Sequence, residues 1–180
     1  MDKKELEKLQ YPIGKFETPE LYTKNYLAEK IEEIEHFPKK LENEVYNLSE
    51  AQLNTPYRHE GWSIRQVIHH CADSHMNCFI RIKWALTENQ PVIKYYEEAL
   101  WGEGVDNRTM PIEPSLQLLS GLHFRLSYLL RNLKEEELLK TFIHPEHGKT
   151  FSIHDMIGMY AWHCHHHLAH ITELKKRKKW

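Results

Sequence analysis

Two long stretches of this chain repeat their apolar residues every three or four positions, which confines both to helices. In the first, Ile64, Val67, Ile68, Cys71, His75, Cys78 and Ile82 share one stripe. It opens on Ser63-Ile64-Arg65-Gln66, a capping box in which a hydroxyl and a side-chain amide satisfy orphan backbone N–H groups. The spacing predicts a helix from there to about Thr87. In the second, Ile157, Tyr160, Cys164 and Ile171 follow Ser152-Ile153-His154-Asp155, another capping signal, and the helix should run to the C-terminus. Only 7 of the 180 residues are glycine, so little interrupts either pattern.

Weaker signals complete the layout. Thr18-Pro19-Glu20 offers a cap, a proline at the first helical position and an acid, predicting a helix toward Leu48 that Pro38 bends or interrupts. Pro91, Gly102, Gly104 and Pro111 mark residues 89–113 as a long irregular connection, and such loops often cover a site. A third helix is expected after Pro114 to about Asn132, then a helical turn near Lys134–Lys140. Thr141–His144 and Lys149–Phe151 flank Pro145-Glu146-His147-Gly148, a small hairpin. The reading is all-α: a four-helix bundle with a hairpin before the last helix, one domain over residues 1–180.

Composition excludes several partners. With 41% hydrophobic and 28% charged residues and a formal charge of -2, the balance favours neither nucleic acid nor a membrane surface. No apolar run is long enough to cross a bilayer, and Met1-Asp2-Lys3-Lys4-Glu5 lacks the apolar region of a signal peptide. Cys71, Cys78 and Cys164 are odd in number without a C-x-x-C pair, as expected of a reduced cytoplasmic protein. They fall on apolar stripes, so each reads as a small buried hydrophobe. The Lys175–Lys179 run reads as a solvated helix end, favoured by the macrodipole.

Chemistry concentrates in the histidines. Five lie within residues 163–170, and neutral imidazole is the commonest ligand for transition metals. His163 and His167 are four apart, one above the other on a helix, the skeleton of many helix-borne zinc sites. Relative to the last helix's stripe, His167 falls inside, His163 on the shoulder, and His165 and His166 toward solvent or the bundle flank. His170 lies a turn further along, a candidate supporting group. On the earlier helix the periodicity favours His75, with His70 on one flank and His69 on the other, and it does not choose among them. Asp73 and Ser74 lie within a turn of His70, where either could orient its ring. His36, His59, His123, His144, His147 and His154 read as surface or capping residues.

Several segments together resemble the YfiT branch of the DinB-like superfamily. They are Tyr11-Pro12-Ile13-Gly14, Thr55-Pro56-Tyr57-Arg58, Gly61-Trp62-Ser63 through His69-His70, Ala72-Asp73-Ser74-His75-Met76-Asn77, and Trp162-His163 through His170-Ile171. The resemblance runs from about residue 11 to 174. It implies a four-helix bundle of unusual connectivity, a cytoplasmic homodimer, a small-molecule substrate and metal-dependent hydrolysis. It also implies one divalent ion held by His70, His163 and His167; imidazole ligands suit Zn²⁺ first and Ni²⁺ second.

Three neutral imidazoles would leave such an ion its full charge and open positions, the requirement for a catalytic rather than a structural site. No glutamate adjoins a ligand as in His-Glu-x-x-His, and Glu173 reads as a surface residue, so the sequence offers no general base. The resemblance also admits transfer of a low-molecular-weight thiol of the bacillithiol type, since metals deprotonate thiols readily. A non-catalytic metal-binding module is the third expectation. Trp62, Trp101, Trp162 and the 89–113 connection are expected around the pocket.

Overall fold

The computed structural model of the chain describes residues 2–146 and 148–180. Among the described residues nine helices and two strands follow in the order α1 (Lys3–Gln10), α2 (Lys24–Val45), α3 (Glu50–Leu53), α4 (Ile64–Thr87), α5 (Glu98–Gly102), α6 (Val105–Thr109), α7 (Glu113–Arg131), α8 (Glu135–Leu138), β1 (Thr141–His144), β2 (Lys149–Ser152) and α9 (Ile153–Lys178). The long helices α2, α4, α7 and α9 form the bundle. Both α2 and α4 pack chiefly on α7 and α9. Consecutive long helices α2 and α4 therefore stand at opposite corners, unlike the neighbours of a simple up-and-down bundle.

Both capping boxes form as the sequence predicts. The side chains of Ser63 and Ser152 accept from the backbone N–H groups of Gln66 and Asp155, and those residues answer at the cap backbone. The hairpin pairs Thr141 with Ser152 and His144 with Lys149; His147 of its turn lies outside the described residues. The core runs along the inner stripes, with Ile34, Phe37, Leu41, Ile64, Ile68, Ile82, Leu119, Leu126, Ile157 and Ile171 each at most 1% exposed. Cys71, Cys78 and Cys164 are free and buried. Among the described residues no helix is long and apolar enough to cross a membrane.

Two expectations need correction. Thr18-Pro19-Glu20 does not start a helix; α2 begins at Lys24, capped by the Thr23 side chain. The preceding residues are drawn across the start of α9, where the Tyr22 hydroxyl donates to Asp155 and its ring stacks on His154 at 5.2 Å. Those tertiary contacts outweigh a local start signal. The 89–113 connection is not wholly irregular, since it carries α5 and α6. Its first part is tied to the hairpin, with Ile93 N–H donating to the Ile143 carbonyl at 3.1 Å. The helices α1 and α3, which lack an apolar stripe of useful length, went unanticipated.

Pro38 sits inside α2 without ending it. A proline has no N–H, so the carbonyl four residues earlier, that of Ile34, loses its helical partner. His123 of α7 supplies the replacement, its Nδ1 lying 2.6 Å from that oxygen. Beside them Phe37 packs its ring 5.4 Å from those of both His75 and His123. Phe37→Ala is expected to cost about 3–5 kcal/mol, read as a lowered denaturation midpoint.

Candidate metal centre

His70 from α4 and His163 and His167 from α9 meet at the crossing of those helices, each offering one ring nitrogen within 4.8 Å of the others. The Nε2 atoms of His163 and His167 stand 3.1 Å apart, and the His70 ring lies 4.7 Å from that of His167 and 5.4 Å from that of His163. His70 and His167 are buried and His163 half-buried, and the lost hydration penalises the imidazolium. His70 is pushed down to about 4, and His163 and His167 fall well below the usual histidine range. At neutral pH the rings are uncharged, the form that ligates a metal.

A chain of buried rings stands behind His163. His123 Nδ1 faces the Ile34 carbonyl, His75 Nδ1 lies 2.6 Å from His123 Nε2, and His75 Nε2 lies 2.9 Å from His163 Nδ1. His123 and His75 are also held neutral by desolvation. A carbonyl only accepts, so His123 donates from Nδ1 and its Nε2 accepts. His75 then donates from Nδ1 and accepts at Nε2. His163 must donate from Nδ1, which leaves its Nε2 bare and turned toward His167. Thus the proline in α2 sets, through two imidazoles, the tautomer of a histidine on α9. The buried Nδ1 of His167 has no hydrogen-bond partner and can carry that ring's proton once Nε2 is engaged.

The site is roofed from the 89–113 connection. Trp62 lies over His70 with ring centroids 4.6 Å apart. A Cβ on Gly102 would sit 2.8 Å from the Trp62 indole, so glycine there lets α5 close onto the ring. Gln66, the capping-box residue of α4, reaches the Gly102 carbonyl at 2.8 Å. Two cavities flank the histidines. One of about 300 Å³ is bordered by Trp62, Tyr57 and His167, the other, of about 200 Å³, by His163, Tyr160 and Arg81. Glu98 borders both, a carboxylate whose position no local spacing announced.

Comparison with known proteins settles the lineage. The family model of the DinB superfamily matches residues 33–171. The chain belongs to the DinB superfamily. A protein from Oceanobacillus iheyensis, provisionally named a metal-dependent hydrolase, is 52% identical over 171 residues, covering 95% of this chain and 98% of its own. YfiT from Bacillus subtilis, provisionally named in the same way, is 44% identical over 172 residues, covering 96% and 97%. The solved YfiT structure, described as an unusual four-helix bundle topology, superposes with a TM-score of 0.94 at 43% identity over 96% of this chain and 99% of that one.

Two further histidine groups in this DinB bundle bring potential ligands together: His75, His123 and Cys164, and His166, His167 and His170. In the first, the ring nitrogens already bond to one another and to Ile34, and burial drives the Cys164 thiol well above its usual range, against the thiolate a metal needs. In the second, His170 Nε2 is 3.1 Å from the Gln10 carbonyl and its ring stacks on Tyr57 at 4.0 Å. Of the three groups among the described residues, that of His70, His163 and His167 turns the His163 and His167 Nε2 atoms toward each other and is reached from both cavities, through His163 on one side and His167 on the other.

Several sequence expectations resolve here. His75 is fully buried at the stripe's centre, yet it faces His163 rather than the site. His69 turns away, to Ser115 at 2.8 Å and the Met110 carbonyl at 3.2 Å. His166 is not on a solvated flank: it is buried and stacks on Trp162 at 4.4 Å, with the Tyr11 ring 5.8 Å away. His123, His144 and His154 are buried too, whereas His36 and His59 are exposed. Neither Asp73 nor Ser74 orients His70; they contact Asn107 at 3.1 Å and Tyr160 at 3.3 Å. Glu173 pairs with Lys176 at 2.6 Å, away from the chemistry.

Proposed function

We propose that the chain is a metal-dependent hydrolase with one divalent cation, Zn²⁺ or secondarily Ni²⁺, on His70, His163 and His167. The observation that carries the reading is the meeting of three uncharged imidazoles, one with its Nε2 bared by the buried rings behind it. The donor set fits: all-nitrogen imidazole ligation suits zinc and nickel, and the orphaned Nδ1 of His167 is free to hold that ring's proton. The provisional names of the relatives point the same way. A cation held there supplies Lewis acidity, which acidifies water and polarises a carbonyl or phosphoryl oxygen.

The protein's own groups do the rest. Uncharged ligands preserve the cation's full charge. His75 grips His163 Nδ1 and keeps that ring in one plane and one tautomer. Trp62 screens His70 from solvent, which strengthens every electrostatic interaction beneath it. His75→Phe, which leaves all three ligands in place, is expected to weaken metal binding by about 10–100-fold, measured by competition with a chelating dye.

The functional test is a panel of ester, amide and phosphate substrates, assayed with and without added Zn²⁺ or Ni²⁺. Metal-dependent turnover that vanishes in His163→Ala is the expected result. Turnover only when a low-molecular-weight thiol and an electrophile such as monochlorobimane are supplied would replace hydrolysis by thiol transfer.

A further inference from the structure

We propose that the cavity beside His163 binds the carboxylate of a small organic acid through Arg81. A guanidinium stays charged in any protein environment, and burying a charge without a partner is costly. Arg81 is only 8% exposed, and its Nε is buried without a hydrogen-bond partner. No carboxylate among the described residues forms an ion pair with it; its guanidinium stands over the Tyr96 ring, 5.8 Å from the centroid. The cation borders the 200 Å³ cavity that His163 also borders, so an anion arriving there would meet a ready partner in the same cavity as His163.

The walls define the rest of the ligand. Phe142, Phe151, Met156 and Met159 offer apolar surface, and Ser74 and Tyr160 add hydroxyls. The exposed carboxylates of Glu98 and Glu146 also border the space, which opposes a dianion such as phosphate more than a monoanion. A single carboxylate on an apolar body matches this pattern, and the volume falls below the ~300–1,000 Å³ of drug-sized sites. That the acid is the substrate rests on the hydrolase reading; its binding to Arg81 does not.

Benzoate, neutral benzamide and inorganic phosphate can be titrated calorimetrically into the protein as purified and after chelator treatment. Benzoate is expected to bind both forms, with benzamide and phosphate at least about tenfold weaker, the worth of one charged hydrogen bond. Arg81→Met should lose benzoate by the same factor while keeping its circular dichroism and metal content, and should melt no lower than the parent. Arg81→Lys, which keeps the charge but not the planar fork, should bind benzoate more weakly and serves if the methionine variant fails to fold. Unchanged benzoate affinity in either variant, or binding that disappears with the metal, overturns the proposal. Benzoate binding by a parent protein that turns over no ester, amide or phosphate substrate would instead count against the hydrolase reading alone.

Discussion

His163→Ala and His167→Ala are each expected to lose bound metal almost completely while keeping the helical circular dichroism of the parent. Groups that merely orient a ligand are worth about 10–100-fold in metal affinity, so removing a ligand should exceed the upper end of that range. The fold should survive because its core lies elsewhere: Ile34, Phe37, Leu41, Ile64, Ile68, Leu119 and Ile157 pack the helices without help from these rings. His165→Ala is the control. It sits between the ligands in sequence, but its ring faces Glu33 at 3.4 Å on the bundle flank, and it should bind metal like the parent. Metal analysis of the three purified variants reads the outcome, and full occupancy in either ligand variant contradicts the assignment.

Acid is expected to unfold the metal-free protein cooperatively between about pH 6.5 and 4. Burial holds His70, His123 and His166 near 4 and His170 near 3, against an ordinary value of 6.5. The unfolded chain takes up protons as pH falls through 6.5, and the folded protein resists them until far lower. The stability these neutral rings confer is therefore fully present above pH 6.5 and drains away as pH drops through that window. At ~1.4 kcal/mol per pKa unit, His70 and His123 contribute roughly 3 kcal/mol apiece. Two such groups are comparable with a total reserve of about 5–15 kcal/mol. Circular dichroism against pH should show a steep transition taking up more than one proton, moved to lower pH by added Zn²⁺. A flat signal down to pH 4 would mean that these rings accept protons without strain.

The parts of the molecule legible in the sequence are those set by local chemistry. Ser63 and Ser152 announce the starts of α4 and α9 because a capping box needs only four residues. The i, i+4 spacing of His163 and His167 puts them together on any helix. That His70 rather than His75 meets His163 and His167 at the α4–α9 crossing was not legible from spacing, because periodicity gives a residue's face and not what stands opposite it. His75 sits at the stripe's centre and meets His123 of α7; His70, on the flank, meets α9. The same limit hid the use of Pro38. Its missing N–H is evident from the sequence, but the taker of the freed Ile34 carbonyl comes from 89 residues away. Nothing in the spacing singles out Arg81 of α4, and only the packed bundle leaves it buried beside a cavity.

X-ray absorption of the protein loaded with one equivalent of Zn²⁺ reads the ligands directly. Three imidazole nitrogens at about 2.0–2.1 Å, completed by light oxygen scatterers and with no sulfur neighbour, are the expected first coordination sphere. A sulfur at about 2.3 Å would move the ion to His75, His123 and Cys164, and a protein that takes up no zinc would leave the meeting of His70, His163 and His167 without its proposed purpose.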